Sequence, residues 1–172
     1  MNRILEKLSG GDLRSIGKSD VVAREVKSQR QFDQLVEGLT FPDRLVVMRT
    51  ADAAEKITRA HPKFLAAHKR TILKLLFKAE EKELKWHLGL LVARLELSKS
   101  ELGKVWARLT RWALNMKESR IVRVNAIQGL FELSRKTPGL RGDYELTLTQ
   151  LEREEVPSIR ARIRILRKLG EG

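Results

Sequence analysis

The sequence has no cysteine. Disulfides and thiolate metal sites are therefore excluded, and the chain suits a reducing compartment. Long apolar runs are missing too. No stretch approaches eighteen consecutive apolar residues, so no membrane span is expected. The opening MNRILEKLSGG lacks the apolar core of a secretory signal, and the expected location is cytoplasmic. Aromatic residues make up only 5% of the chain, and there are four prolines in 172 residues. No run alternates apolar and polar residues for long, so strands have no support. Negative charge is also short, with 22 Asp and Glu against 35 Lys and Arg. The resulting net charge of +13 and pI near 10.4 point to an anionic partner. Residues 1–40 carry 7 basic and 6 acidic side chains, whereas residues 41–117 carry 17 and 8. The excess therefore sits in the body of the chain.

What is present is helical periodicity. Apolar residues recur at three- and four-residue steps in Phe32, Leu35, Val36, Leu39 and in Leu84, Leu88, Leu91, Val92, Leu95. Ser98-Lys99-Ser100-Glu101 has the spacing of a capping box. Pro42, Pro62, Pro138 and Pro157 all fall where a helix should begin, a place where the missing N–H costs nothing. The prolines and capping signals repeat. His61-Pro62 and Thr137-Pro138 lie 76 residues apart, twice 38, and Glu81, Ser119 and Pro157 follow one another at 38. At that offset LVVMRTADAAEKI matches ELKWHLGLLVARL, IVRVNAIQGLFEL and, with one deletion, SIRARIRILRKL. One helix is written four times, near 43–60, 81–96, 119–136 and 157–169. Partner helices are expected near 62–78, 99–116 and 138–153, with a shorter one near 29–39. Residues 1–27 read as a leader or cap and 28–170 as the repeats of a single domain spanning 1–172.

A helix pair every 38 residues predicts an all-α, right-handed α-solenoid of about four pairs. Val122-Arg123 and Ile159-Arg160 open the second helix of a pair, with Ala126 and Leu130 following in one case. They resemble the Val-Arg…Ala…Leu signature of HEAT-repeat, armadillo-like proteins. Lys85 keeps the basic position, and Val47 departs from it. The chain is also similar to bacterial HEAT-repeat proteins to which no activity attaches. The resemblance implies that the second helices line a concave face. There the register places Arg49, His87, Asn125 and Arg162 in one row, and Val47, Lys85, Arg123 and Arg160 in another. Two polar or basic rows could receive carboxylates or phosphates. The resemblance also implies a bland reading, in which Lys85, Arg123 and Arg160 bond between repeats.

Gly17-Lys18-Ser19 looks like the end of a phosphate-binding loop. The first glycine of that motif would be residue 12, which is Asp, and no buried strand precedes it. The expectation is that Gly10-Gly11 ends a short helix and that Ser19 or Asp20 caps the next, Val21-Val22-x-x-x-Val26. Arg14 and Lys18 remain a weak anion site there. His61 and His68 lie two turns apart without a third ligand, so no metal is expected. His87 beside Trp86 has no nucleophile or acid placed for it. Trp112 fits the apolar stripe Leu102, Val105, Leu109, Trp112, Met116. Trp106 lies at its edge among Lys104, Arg108 and Arg111 and is a possible interaction anchor. The last helix, with its basic stripe, reads as a terminal cap rather than a membrane-surface helix.

The expected function is a non-catalytic, cofactor-free binding or scaffold module whose basic concave groove holds an acidic protein or peptide. The alternative is sequence-nonspecific nucleic-acid binding through the same surface. An enzyme is not expected. Some alkylpurine DNA glycosylases are built from HEAT-like repeats, an analogy of fold alone, and the Asp and aromatic constellation they place around DNA is not found in this sequence.

Overall fold

A computed structural model describes residues 1–12 and 17–170, and among them all regular structure is helical. Ten α-helices occur: α1 Arg3–Leu8, α2 Ser19–Glu25, α3 Gln29–Val36, α4 Arg44–Ala60, α5 Lys69–Lys78, α6 Lys82–Leu91, α7 Lys99–Leu114, α8 Arg120–Lys136, α9 Arg141–Glu152 and α10 Pro157–Gly170. Short 3₁₀ turns cover Glu37–Thr40, Pro62–His68, Val92–Arg94 and Pro138–Leu140. The boundaries follow from caps. Ser98 and Glu101 form the expected capping box at α7, and Asp43 and Ser119 accept from the first-turn amides of α4 and α8. Pro157 opens α10, whereas Pro62 and Pro138 open 3₁₀ turns that run into α5 and α9.

The chain divides into two compact units, Met1–Ile72 and Leu73–Gly172, with the boundary inside α5. In the first, α4 is the central helix, and α1, α2, α3 and the adjoining 3₁₀ turns pack on it. Ala51, Ala53 and Ala54 are buried there and let neighbours approach closely. Gly38 makes the closest approach, since a Cβ at that position would lie 2.2 Å from the Thr50 hydroxyl. Leu5, Leu8, Val22 and Val26 are all buried, so these residues form part of the first unit's core.

In the second unit α8 is central. It is flanked by α6 and α10, the helices that share its sequence register, while α7 and α9 form a second layer across it. The α6–α8 crossing is tight because both helices carry glycine there. A Cβ on Gly129 would stand 2.3 Å from the Gly89 carbonyl oxygen. Trp112 is buried as the α7 stripe predicts. Met116 is not. The helix ends at Leu114, Asn115 adopts an extended cap conformation, and Met116 is 74% exposed.

Candidate functional site

The residues expected to line a cationic groove are largely engaged inside the protein. Arg49 is 3% exposed. Its guanidinium donates to the carbonyls of Leu8 at 2.9 Å, Gly10 at 2.6 Å and Asp12 at 3.2 Å. Gly10, Gly11 and Gly17 all have positive φ, and a Cβ on Gly17 would lie 2.7 Å from the guanidinium carbon. The glycines of GGDLRSIGKSD therefore serve to wrap backbone around a buried cation. A phosphate-binding loop does the reverse, turning its N–H groups inward. Lys18 stands at the N-cap of a seven-residue helix. Arg14, the other half of the weak anion site, lies outside the described residues. Ser19 is buried within α2 and hydrogen-bonds Asp52, so it does not cap the helix through its side chain.

Of the other row members, Asn125 and Arg162 tie neighbouring helices together. His87 is buried against Trp86, with ring centroids 5.5 Å apart. The Asn125 amide donates to the Trp86 carbonyl at 3.1 Å, lacing α8 to α6, and Arg162 donates to Gln128 at 3.0 Å, lacing α10 to α8. The second row follows one pattern. Lys85 pairs with Glu118 at 2.6 Å, in the α7–α8 turn. Arg123, 3% exposed, donates to the Ala113 carbonyl at the end of α7 and pairs with Glu154 between α9 and α10. Arg160 reaches the Glu152 carbonyl at the end of α9 and, at 3.2 Å, Glu155. A cation near the start of the second helix thus binds groups at the loop end of the first layer each time. For Arg123 and Arg160 the reason is local: last-turn carbonyls carry partial negative charge and lack helical partners. For Arg49, His87 and Arg123, burial contradicts a place on an open groove.

Unpaired cations lie elsewhere, on the face of α7 turned away from α8. Lys104 and Arg111 are exposed there, as are Lys74 and Lys78 at the end of α5. None of these four has a carboxylate partner among the described residues. Arg108 joins the two helices: it donates to the Phe77 carbonyl at 3.3 Å and lies over the Phe77 ring at 5.5 Å. Beside this stripe runs a groove between α7 and α9 of about 480 Å³, lined by Trp106, Thr110, Arg111, Leu114, Leu146 and Thr147, among others. Leu146 is 71% exposed, and Trp106 is half-buried at the groove's edge, as its position beside the core stripe predicts. An apolar trough with Arg111 on its α7 wall and Asp143 on its α9 wall can take an amphipathic chain that sets an acidic group against the arginine.

Of the residues singled out in the sequence, only Trp106, with its neighbours Lys104, Arg108 and Arg111, belongs to this surface. Lys74, Lys78, Leu114 and Leu146 were missed. The cation pairs at four-residue spacing on α5 and α7 were a legible signal. The apposition of Leu146 to Trp106 was not, because it depends on how α7 and α9 pack. His61 stacks on Phe64 and His68 bonds Asp33 at 2.7 Å, so the two histidines do not converge. No protein family matches the chain, and no curated protein or solved structure matches it.

Proposed function

We propose that the protein is a non-catalytic helical-repeat module, HEAT-like and stacked as a right-handed α-solenoid of about four pairs, that holds an acidic protein or peptide segment. The repeat reading is supported by the second unit, where three helices in one sequence register lie side by side under a second layer. Stacking of this kind buries each pair's apolar stripe on the next and leaves extended faces free for partners. The partner reading rests on one observation: the Trp106–Leu114–Leu146 groove is lined by Arg111, which has no carboxylate partner among the described residues, on a helix that also exposes Lys104. The contact face is therefore the outer side of α7 and its neighbours rather than the rows of the second helices. An aromatic anchor flanked by arginines is a common centre of binding energy, and the cations add on-rate and selectivity for an acidic segment.

Nucleic acid would use the same cations, but it has no need of an aliphatic trough. The test is a photo-crosslinking residue at Ala107, exposed on the stripe, in cells of the native host. The expected product is a polypeptide adduct that survives nuclease and is lost in K104E/R111E. An adduct removed by nuclease, whose formation in vitro falls with salt at a log–log slope near −0.9 per phosphate, gives the nucleic-acid reading instead. A face that captures neither overturns both.

A further inference from the structure

A second site lies in the second unit, among α8, α9 and α10. There Phe131, Arg135, Arg141, Tyr144, Glu145 and Leu166, among others, line a half-open cavity of about 450 Å³. That volume is in the range of small-molecule pockets. Its walls divide by chemistry. Phe131, Pro138 and Leu166 are apolar. Arg141 has no hydrogen-bond or carboxylate partner among the described residues, and Arg135 has only the Phe131 ring, at 5.7 Å. The one carboxylate, Glu145, stands 3.8 Å from Arg167, which also holds Glu152 at 2.9 Å.

The second observation is Tyr144. It is 4% exposed, and its ring lies 6.0 Å from that of Phe131. Its hydroxyl is buried with no hydrogen-bond partner among the described residues. A buried orphan donor costs free energy that an incoming acceptor would restore. Burial, and secondarily the Glu145 charge, push the phenol's ionisation far above its ordinary value, so the hydroxyl remains a neutral donor. None of this is used by the groove between α7 and α9, where Trp106 lies.

We propose that this cavity binds a small organic anion, with its apolar body against Phe131 and Leu166 and its oxyanion on Arg135, Arg141 and the Tyr144 hydroxyl. Guanidinium forks match the oxygens of a carboxylate or a phosphomonoester equally well, and the shared chemistry is an oxyanion on an apolar group. The chain's single tyrosine makes the test direct. The full chain is titrated with 1-naphthoate, 1-naphthyl phosphate and neutral 1-naphthylmethanol while the Tyr144 ring signals are followed by NMR. Saturable shifts with at least one anion, and binding of the alcohol at least tenfold weaker, are expected. Which anion binds more tightly identifies the ligand as carboxylate or phosphate. R135Q/R141Q should weaken the anion tenfold or more. Y144F should weaken it about three- to tenfold while raising the melting temperature of the unliganded protein, because an unsatisfied hydroxyl is removed. Equal affinity for the alcohol, or anion binding unchanged in both variants, overturns the proposal.

Discussion

Two buried arginines, one in each unit, show how differently the same charge can be housed. Arg49 in the first unit is held by the Leu8 carbonyl that ends α1 and by the Gly10 and Asp12 carbonyls of the glycine-bearing loop that follows. Arg123 in the second sits at a helix junction, between the Ala113 carbonyl and the Glu154 carboxylate. The loop carbonyls are neutral and can turn to water if the cation is lost. The Glu154 carboxylate is largely enclosed and cannot do so cheaply. A cation's worth to the fold therefore depends on what is left behind when it goes.

The sharpest way to break the comparison is to remove each in turn. Arg123→Ala should cost about 4 kcal/mol in urea denaturation, since it strands a carboxylate. Arg49→Ala should cost about 2 kcal/mol and show its effect locally, as faster amide exchange in α1 and α2. Equal losses would mean that the carboxylate carries no special penalty. Between these in size falls Gly129→Ala. Its new methyl meets backbone, the Gly89 carbonyl, which cannot rotate away. A net loss of about 3 kcal/mol is expected, even though alanine gains roughly 1 kcal/mol of helix propensity over glycine. Gly38→Ala in the first unit should cost less, because the ends of the Thr50 and Leu5 side chains are what it meets. Asn125→Ala, which cuts a single tie to α6, should cost about 1 kcal/mol, read as a shift in the urea midpoint.

The smallest effect is read in acid. Two carboxylates of the first unit titrate below their ordinary value of 3.8: Asp20, held down by its hydrogen bond to Lys56, and Asp33, by hydrogen bonds to Gln29 and His68. A depressed folded-state pKa contributes stability that is present above the unfolded value and is lost as pH falls through the folded one. Amide exchange followed below pH 4 should therefore show added loosening around α2 and α3. In D20N/D33N that acid-dependent part should disappear. Both groups are largely exposed, so the change is small.

Much of this architecture was readable beforehand, because helix starts are written in local chemistry. Ser98, Ser119 and Pro157 mark three starts within one residue of where they occur. A second capping box at Ser28 and Gln31 carries the same spacing and was equally legible. The site was another matter. Register places Arg49, Arg123 and Arg162 by position along a helix, but periodicity does not say whether a long side chain turns to solvent or back to a carbonyl. Arginine can do both, since its stem packs with apolar neighbours while its head seeks acceptors. Toward the amino terminus Leu5, Leu8, Val22 and Val26 are all buried in the first unit.

The coat of peptide oxygens around Arg49 has a practical consequence for anyone transplanting α4. Excised from residues 1–12, the α4 helix would lose the Leu8, Gly10 and Asp12 carbonyls that hold the Arg49 guanidinium, and a graft of α4 would inherit a charge with that insulation gone. The amino-terminal turn is thus an obligatory fitting, to be transplanted together with the helix it dresses.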